Sequence, residues 1–271
     1  MSPNITIVTA FFDIGRGSWT PDKGLPHYLQ RSTETYMERF SYMAQLENEI
    51  IVYTTPDFKQ RILDYRQDRP TKIIETSLDE YSELRNKISA VQQSEKFQKL
   101  IHPSQVKNPE YWNADYVLVN FLKSQFACNA IEQRMVNTEL LAWLDFGYCR
   151  TADKVPPSKR WSYNFNPDRI HLFNYKEFNQ YDSLYRIIAT NDVHILGAKI
   201  VGGHKAWCTF SDLMNHSLYE LLKVNMVDDD QTLLLMVSIM HPNMIELHRI
   251  PDHQQGLDPF VVFSDFNILK D

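Results

Sequence analysis

The sequence predicts an α/β protein with a mostly parallel central sheet flanked by helices, and three observations carry that expectation. Short β-branched runs, beginning with Ile5-Thr6-Ile7-Val8-Thr9-Ala10-Phe11-Phe12, alternate with segments of helical period, the pattern of βαβ units. The apolar run Leu140-Leu141-Ala142-Trp143-Leu144 stops at Asp145, and Gly147 lets the backbone turn away. In an open α/β sheet, ligands bind at the carboxyl ends of the strands, so Asp145 is expected to face a crevice. An Asp in that position also serves as a turn former or helix cap. Finally, 271 residues with 43% hydrophobic and 13% aromatic side chains suffice for one substantial core, and no composition break divides the chain.

Ile5 to Phe12 reads as a buried strand, short and bounded by polar residues. The loop Asp13-Ile14-Gly15-Arg16-Gly17-Ser18-Trp19 follows, where two glycines around Arg16 let a guanidinium approach a phosphate or simply allow a turn. Pro26 suits the first turn of a helix reaching Leu46, with Tyr36, Phe40 and Met43 on its core side. Ile50 to Thr54 is a second strand, Asp57 to Gln67 a helix and Thr71 to Glu75 a third strand. Leu78 to Leu100 is polar and helix-prone until His102-Pro103 breaks it. From Tyr111 to Ala130 a longer helix shows Val119, Leu122 and Phe126 to the core and carries Asn120 and Lys123 on another face. Lys123 there meets either a phosphate or solvent.

After Asp145, the proline- and aromatic-rich stretch from Lys154 to Asp168 reads as a loop, with Trp161 and Tyr163 either exposed or packed. Arg169 to Phe173 and Asp192 to Leu196 read as short strands. Ala198 to Val201 runs into a Gly202-Gly203 turn at His204, a rim for a pocket ahead of a helix from Trp207 to Val224. Asp228-Asp229-Asp230-Gln231 then opens a helix from Thr232 to Met240. An Asp cap followed by Gln approaches a capping box, but three acids exceed what a cap requires, which points to acid–base or metal chemistry. Met244 to His248 is a late strand.

Twenty-eight basic against 34 acidic residues give a net charge of -6, which argues against a broad nucleic-acid face while leaving room for a local phosphate site. The amino terminus shows no signal-peptide pattern, and the most apolar later stretch, Leu233 to Met240, is far short of the roughly 20 residues that cross a bilayer. A soluble chain, or one with peripheral membrane contact at most, is expected. Cys128, Cys149 and Cys208 stand apart in sequence, fitting a reducing cytosol and giving no zinc spacing. Cys149 lies near Asp145 and reads as a buried thiol or, with a His nearby, a nucleophile.

Val8-Thr9-Ala10-Phe11-Phe12-Asp13 with Arg16, Trp143-Leu144-Asp145-Phe146-Gly147, Gly202-Gly203 and Asp229-Asp230-Gln231, in that order, resemble the HtrL/YibB family of bacterial proteins over nearly the whole chain. That family includes proteins associated with surface-polysaccharide loci and in turn resembles GT-A glycosyltransferases, which hold a sugar nucleotide on a Rossmann-like sheet. The resemblance implies a single domain, with 1–147 binding the nucleotide sugar and 148–271 the acceptor. Thr9, Ala10 and Phe11 would border the nucleobase, and Arg16 and Lys123 would meet the diphosphate. Asp145 stands at the metal-binding DxD segment and would hold ribose or metal, with Gly147 in the place of the second Asp. An implied Mn²⁺ or Mg²⁺ would then be held by Asp145, the donor diphosphate and a later ligand, His248 with His253 as its competitor, or be dispensable.

By the same resemblance Gly202 and Gly203 line the acceptor side, Asp230 is the general base and Asp229 its reserve. The implied activity is transfer of a sugar from a nucleotide-diphosphate donor, a UDP-sugar foremost, to a glycan or lipid-linked glycan. Its setting would be O-antigen, lipopolysaccharide or capsule synthesis in the cytoplasm, at the inner face of the membrane. A non-catalytic nucleotide-sugar- or glycan-binding protein on the same scaffold is the alternative that Gly147 suggests. A metal-dependent phosphohydrolase ranks behind both, because no dense His/Asp cluster suits two metals.

Overall fold

The computed structural model describes residues 4–179, 182–250 and 260. Its strands are β1 (Ile5–Phe11), β2 (Ile50–Thr54), β3 (Thr71–Glu75), β4 (Leu140–Leu144), β5 (Ile170–Asn174), β6 (Lys199–Gly203) and β7 (Ile245–Arg249). They form one sheet in the order β3-β2-β1-β4-β6-β5-β7. Strands β3, β2, β1 and β4 run parallel, β6 is antiparallel to both β4 and β5, and β7 is parallel to β5. The expected mostly parallel α/β architecture is therefore present. The chain first builds outward from β1 to β2 and β3, then crosses back to place β4 on the other side of β1. That reversal opens a crevice beyond the carboxyl ends of β1 and β4, where α/β sheets take their ligands.

Both faces of the sheet are covered, as the near-continuous apolar strands require. In β1, Val8 and Ala10 face the layer of α3 (Ser82–Gln92), α4 (Glu95–Leu100), α5 (Ala114–Glu132), α6 (Leu184–Thr190), α7 (His204–Lys223) and α8 (Asp230–Met240). Ile5, Ile7 and Phe11 face α1 (Thr33–Met43), α2 (Pro56–Arg66) and the loop carrying Trp161 and Phe165. In β4 the alternation repeats, with Leu141 and Trp143 on the first face and Leu140, Ala142 and Leu144 on the second. Trp161 is fully buried, so it belongs to the core and not to a membrane-facing patch. No helix among the described residues is long and apolar enough to cross a membrane.

Several elements differ from the sequence expectation. The first helix starts at Thr33, because the Ser32 hydroxyl caps it by accepting from the Thr35 N–H, while Pro26 sits in extended backbone before a short 3-10 turn. The stretch 78–100 splits into a 3-10 turn capped by Ser77, α3 and α4, the last capped by Ser94. Asp192 to Leu196 forms no strand, contributing only a bridge between Ile195 and Asn174, and the helix α6 precedes it. Gly202 and Gly203 make no turn: they are the last two residues of β6, and α7 begins at once with His204.

Candidate functional site

A pocket of about 330 Å³ lies at the carboxyl ends of β1 and β4. Its floor includes Ala10, Phe11, Trp143 and Asp145, and its walls come from the loop after β1, from α1, from α5 and from the stretch after β4. Aromatic packing fixes that floor. The Phe146 ring stacks on Phe40 at 4.2 Å and on Phe11 at 4.9 Å, tying the turn after Asp145 to α1 and β1. Asp13 holds the loop after β1 in place, one carboxylate oxygen accepting from the Gly15 N–H at 2.8 Å and the other from the Thr33 hydroxyl at 2.7 Å.

Six cationic side chains line the pocket, Arg16, Arg31, Arg39, Lys123, Arg150 and Lys154, against the two carboxylates Asp13 and Asp145. Arg16 is largely spent on structure: Nε and Nη2 donate to the Leu29 carbonyl at 3.3 and 3.2 Å, and Nη1 donates to the Tyr36 hydroxyl at 2.8 Å. Arg31, Arg39 and Arg150 are different. Among the described residues no carboxylate lies within ion-pair distance of any of them. Burial, and after it the like charges of Arg31 and Arg150, lower the proton affinity of the Arg39 guanidinium. A cluster of cations with no counter-ion among the described residues suits an external anion, and guanidinium forks suit phosphate oxygens.

Behind the arginines sits a three-way clamp. The Lys123 ammonium, carried inward by α5, contacts Asp145 Oδ1 at 3.0 Å, Asp230 Oδ2 at 2.8 Å and the Gly197 carbonyl at 3.0 Å. Three acceptors use all three of its N–H bonds. Burial opposes the charge, but Asp145 and Asp230 outweigh it and hold the ammonium above its usual range. Gly197 is required here, since a Cβ on it would stand 2.5 Å from Asp230 Oδ2. Asp145 Oδ1 also accepts from the Trp143 indole N–H at 2.9 Å. With its side chain 40% exposed, Asp145 keeps its second oxygen toward the pocket.

Several expected site residues stand elsewhere. Lys123 reaches the pocket wall, yet its amine is saturated by protein groups, so it supports Asp145 and is not a free phosphate ligand. Asp230 is 2% exposed behind Lys123 and does not line the pocket. Asp229 is the N-cap of α8, accepting from the Gln231 N–H at 3.0 Å. The capping reading accounts for it, and neither acid is placed to act as a base on a pocket ligand. Asp228, Asp229 and Glu110 form a buried acidic group beneath α8; burial and the charge of Asp229 push Glu110 up to about 8, and burial and Glu110 push Asp228 up to about 8.

Thr9 is wholly buried in β1, while its neighbours Ala10 and Phe11 do border the pocket. Gly202 and Gly203 pair with Leu141 and Leu140 at the opposite end of β4, about 13–16 Å along the strand from Asp145. They cannot form an acceptor rim. Gly203 is instead a packing glycine, its Cβ position 2.4 Å from the Pro167 carbonyl oxygen.

The divalent ion implied by the resemblance does not fit the residues around Asp145. His248 lies on β7, three strands away and about 14 Å across the sheet, and His253 lies outside the described residues. At Gly147, where the second Asp of a DxD segment would stand, a Cβ would meet Tyr36 at 3.2 Å and the Arg39 stem at 3.4 Å. A cation occupies the neighbourhood of the missing carboxylate, and Lys123 already bridges the two acids at hand. Arg31, Arg39 and Arg150 were invisible as a group in the sequence, because Arg31 comes from just before α1, Arg39 from its body and Arg150 from the stretch after β4, more than a hundred residues later.

A family model described as "Bacterial protein of unknown function (HtrL_YibB)" matches residues 3–265. Protein HtrL of Escherichia coli (strain K12) is 38% identical over 254 residues, covering 92% of this chain and 89% of that protein. Among solved structures, mouse xyloside xylosyltransferase 1 in its apo form superposes with a TM-score of 0.42 at 11% identity, covering 96% of this chain and 93% of that one. The glycosyltransferase GlyE of Streptococcus pneumoniae TIGR4 superposes with a TM-score of 0.39 at 10% identity, covering 90% of this chain and 45% of that one.

Proposed function

The chain belongs to the HtrL_YibB family, described as bacterial proteins of unknown function, and from its pocket we propose that it is a glycosyltransferase using a nucleoside-diphosphate sugar. The observation that carries this reading is the set Arg31, Arg39 and Arg150, without a counter-ion among the described residues, around the pocket-facing carboxylate of Asp145. A diphosphate brings the negative charge those guanidinium groups lack, and they stabilise the further charge that develops when it leaves. Asp145, oriented by Lys123 and Trp143, accepts a hydrogen bond from a hydroxyl of the bound sugar or of the incoming acceptor. Phe11 and Ala10 border the base or ribose, and Arg16 completes the wall.

Asp230 acts at one remove in this scheme, as a positioning residue that sets Lys123. Neutralisation of the leaving diphosphate is assigned to the arginines, with no step through a divalent ion. A UDP-sugar is the first donor to try, and a glycan or lipid-linked glycan of the bacterial surface the first acceptor, in the cytoplasm with peripheral membrane contact. These finer assignments rest on the family resemblance alone. The whole chain, 1–271, is read as one transferase domain.

The test is calorimetric titration of UDP, GDP, ADP and their sugars into the protein with EDTA present, alongside Arg39→Ala and Asp145→Asn. Binding of one diphosphate, weakened tenfold or more by Arg39→Ala, is expected, since a charge-assisted hydrogen bond is worth about 1.5–3 kcal/mol. Slow release of nucleotide from the sugar donor, lost in Asp145→Asn while binding persists, marks chemistry. Binding without any such release would support the non-catalytic reading, and absence of binding by every nucleoside diphosphate at millimolar concentration would overturn the proposal.

A further inference from the structure

His248, remote from Asp145, has a constellation of its own at the edge of the sheet. Strands β5 and β7 pair with His171 opposite Glu246 and Phe173 opposite His248, so His171, Glu246 and His248 share one face. His171 Nδ1 lies 2.8 Å from His248 Nε2, with the two rings 14° from parallel. The Glu246 carboxylate stands 3.9 Å from His171 Nδ1 through one oxygen and 4.0 Å from His248 Nε2 through the other.

The tautomer of His171 follows from its far side. His171 Nε2 lies 2.9 Å from the Asn166 carbonyl oxygen, which can only accept, so Nε2 carries the proton and Nδ1 presents a lone pair toward His248. Metal-ligating histidines are held in this way, with the second ring nitrogen donating to a carbonyl. The His248 ring stacks on Phe173 at 5.2 Å, which fixes its plane. The Lys199 ammonium sits over the same Phe173 ring at 3.8 Å from its centroid.

We propose that His171, Glu246 and His248 bind a zinc-class divalent ion at a site separate from the pocket at Asp145, tying edge strand β7 to β5. Zinc takes imidazole nitrogen and carboxylate oxygen at about 2.0–2.2 Å, which sets ligand atoms in a tetrahedral shell about 3.3 Å apart. The observed separations of 2.8, 3.9 and 4.0 Å reach that spacing by shifts below 1 Å. Glu246 is 41% exposed, which gives the ion an entry path and leaves a solvent-side position for water as fourth ligand. Two imidazoles and one carboxylate favour zinc over manganese.

The metal-stripped full chain is titrated with zinc chloride by calorimetry and followed by thermal shift. One ion per chain and a raised melting temperature are expected, with manganese binding more weakly. Replacing buried His171 endangers folding, so Glu246→Gln and His248→Gln carry the decision, their folds checked by circular dichroism. Each should weaken zinc at least tenfold. Cys128→Ser, in the cluster Cys128, Glu132 and Cys208 on α5 and α7, should leave affinity unchanged. The proposal is overturned if wild-type protein shows no saturable zinc binding at high-micromolar concentration, if either edge-strand variant binds undiminished, or if Cys128→Ser abolishes binding.

Discussion

Lys123 is the residue on which the pocket's electrostatics turn, because Asp230 is buried with no other cation within ion-pair distance among the described residues. Lys123→Met should cost about 3–5 kcal/mol, the penalty for stranding one member of a buried ion pair, measured as a drop in the urea midpoint. Adding Asp230→Asn should recover much of it, since a neutral amide no longer demands a counter-charge. From the helix pattern Lys123 could meet a phosphate or solvent, and only the family resemblance set it at the diphosphate. What the sequence could not show was that Asp230, more than a hundred residues later, folds to within 2.8 Å of it. Asp145 was legible, since a carboxylate closing an apolar strand has few other places to be. Arg39 was hidden by its helix, where an arginine after Tyr36 is ordinary.

At the scale of elements, strands with β-branched runs were readable almost to the residue: β2 and β3 fall where the sequence places them. Strand direction was not, because nothing in Ile200 or Val201 encodes that β6 enters antiparallel between β4 and β5. That insertion carried Gly202 and Gly203 away from the pocket and brought the Gly197 carbonyl onto the Lys123 amine behind it. Two alanine substitutions separate the roles. Gly203→Ala sets a Cβ against the Pro167 backbone and should lower the melting temperature by several degrees without changing nucleotide affinity. Gly197→Ala presses on Asp230 and should weaken nucleotide binding as well, through displacement of Lys123 and Asp145. Thermal shift and titration on the same two proteins read both outcomes.

For the molecule as a whole, both core layers draw on residues before and after Gly147, so one calorimetric transition is expected and a fragment of residues 1–147 should not fold alone. The buried acids give stability a pH slope. Glu110 and Asp228 titrate near 8 in the folded chain against ordinary values of 4.5 and 3.8, so the folded state binds more protons in between. Their contribution is complete below about pH 4 and is lost as pH rises through about 8. Urea midpoints should therefore fall from pH 5 to pH 8, and Asp228→Asn should flatten the slope. The strand order also has a consequence in time. β4 emerges from the ribosome long before β6, its neighbour on that side, and β5 in between cannot stand in for it. At about 5–20 residues per second, the flank of β4 waits several seconds with its backbone groups open, which makes the nascent chain a natural client for a chaperone that shields unpaired strands.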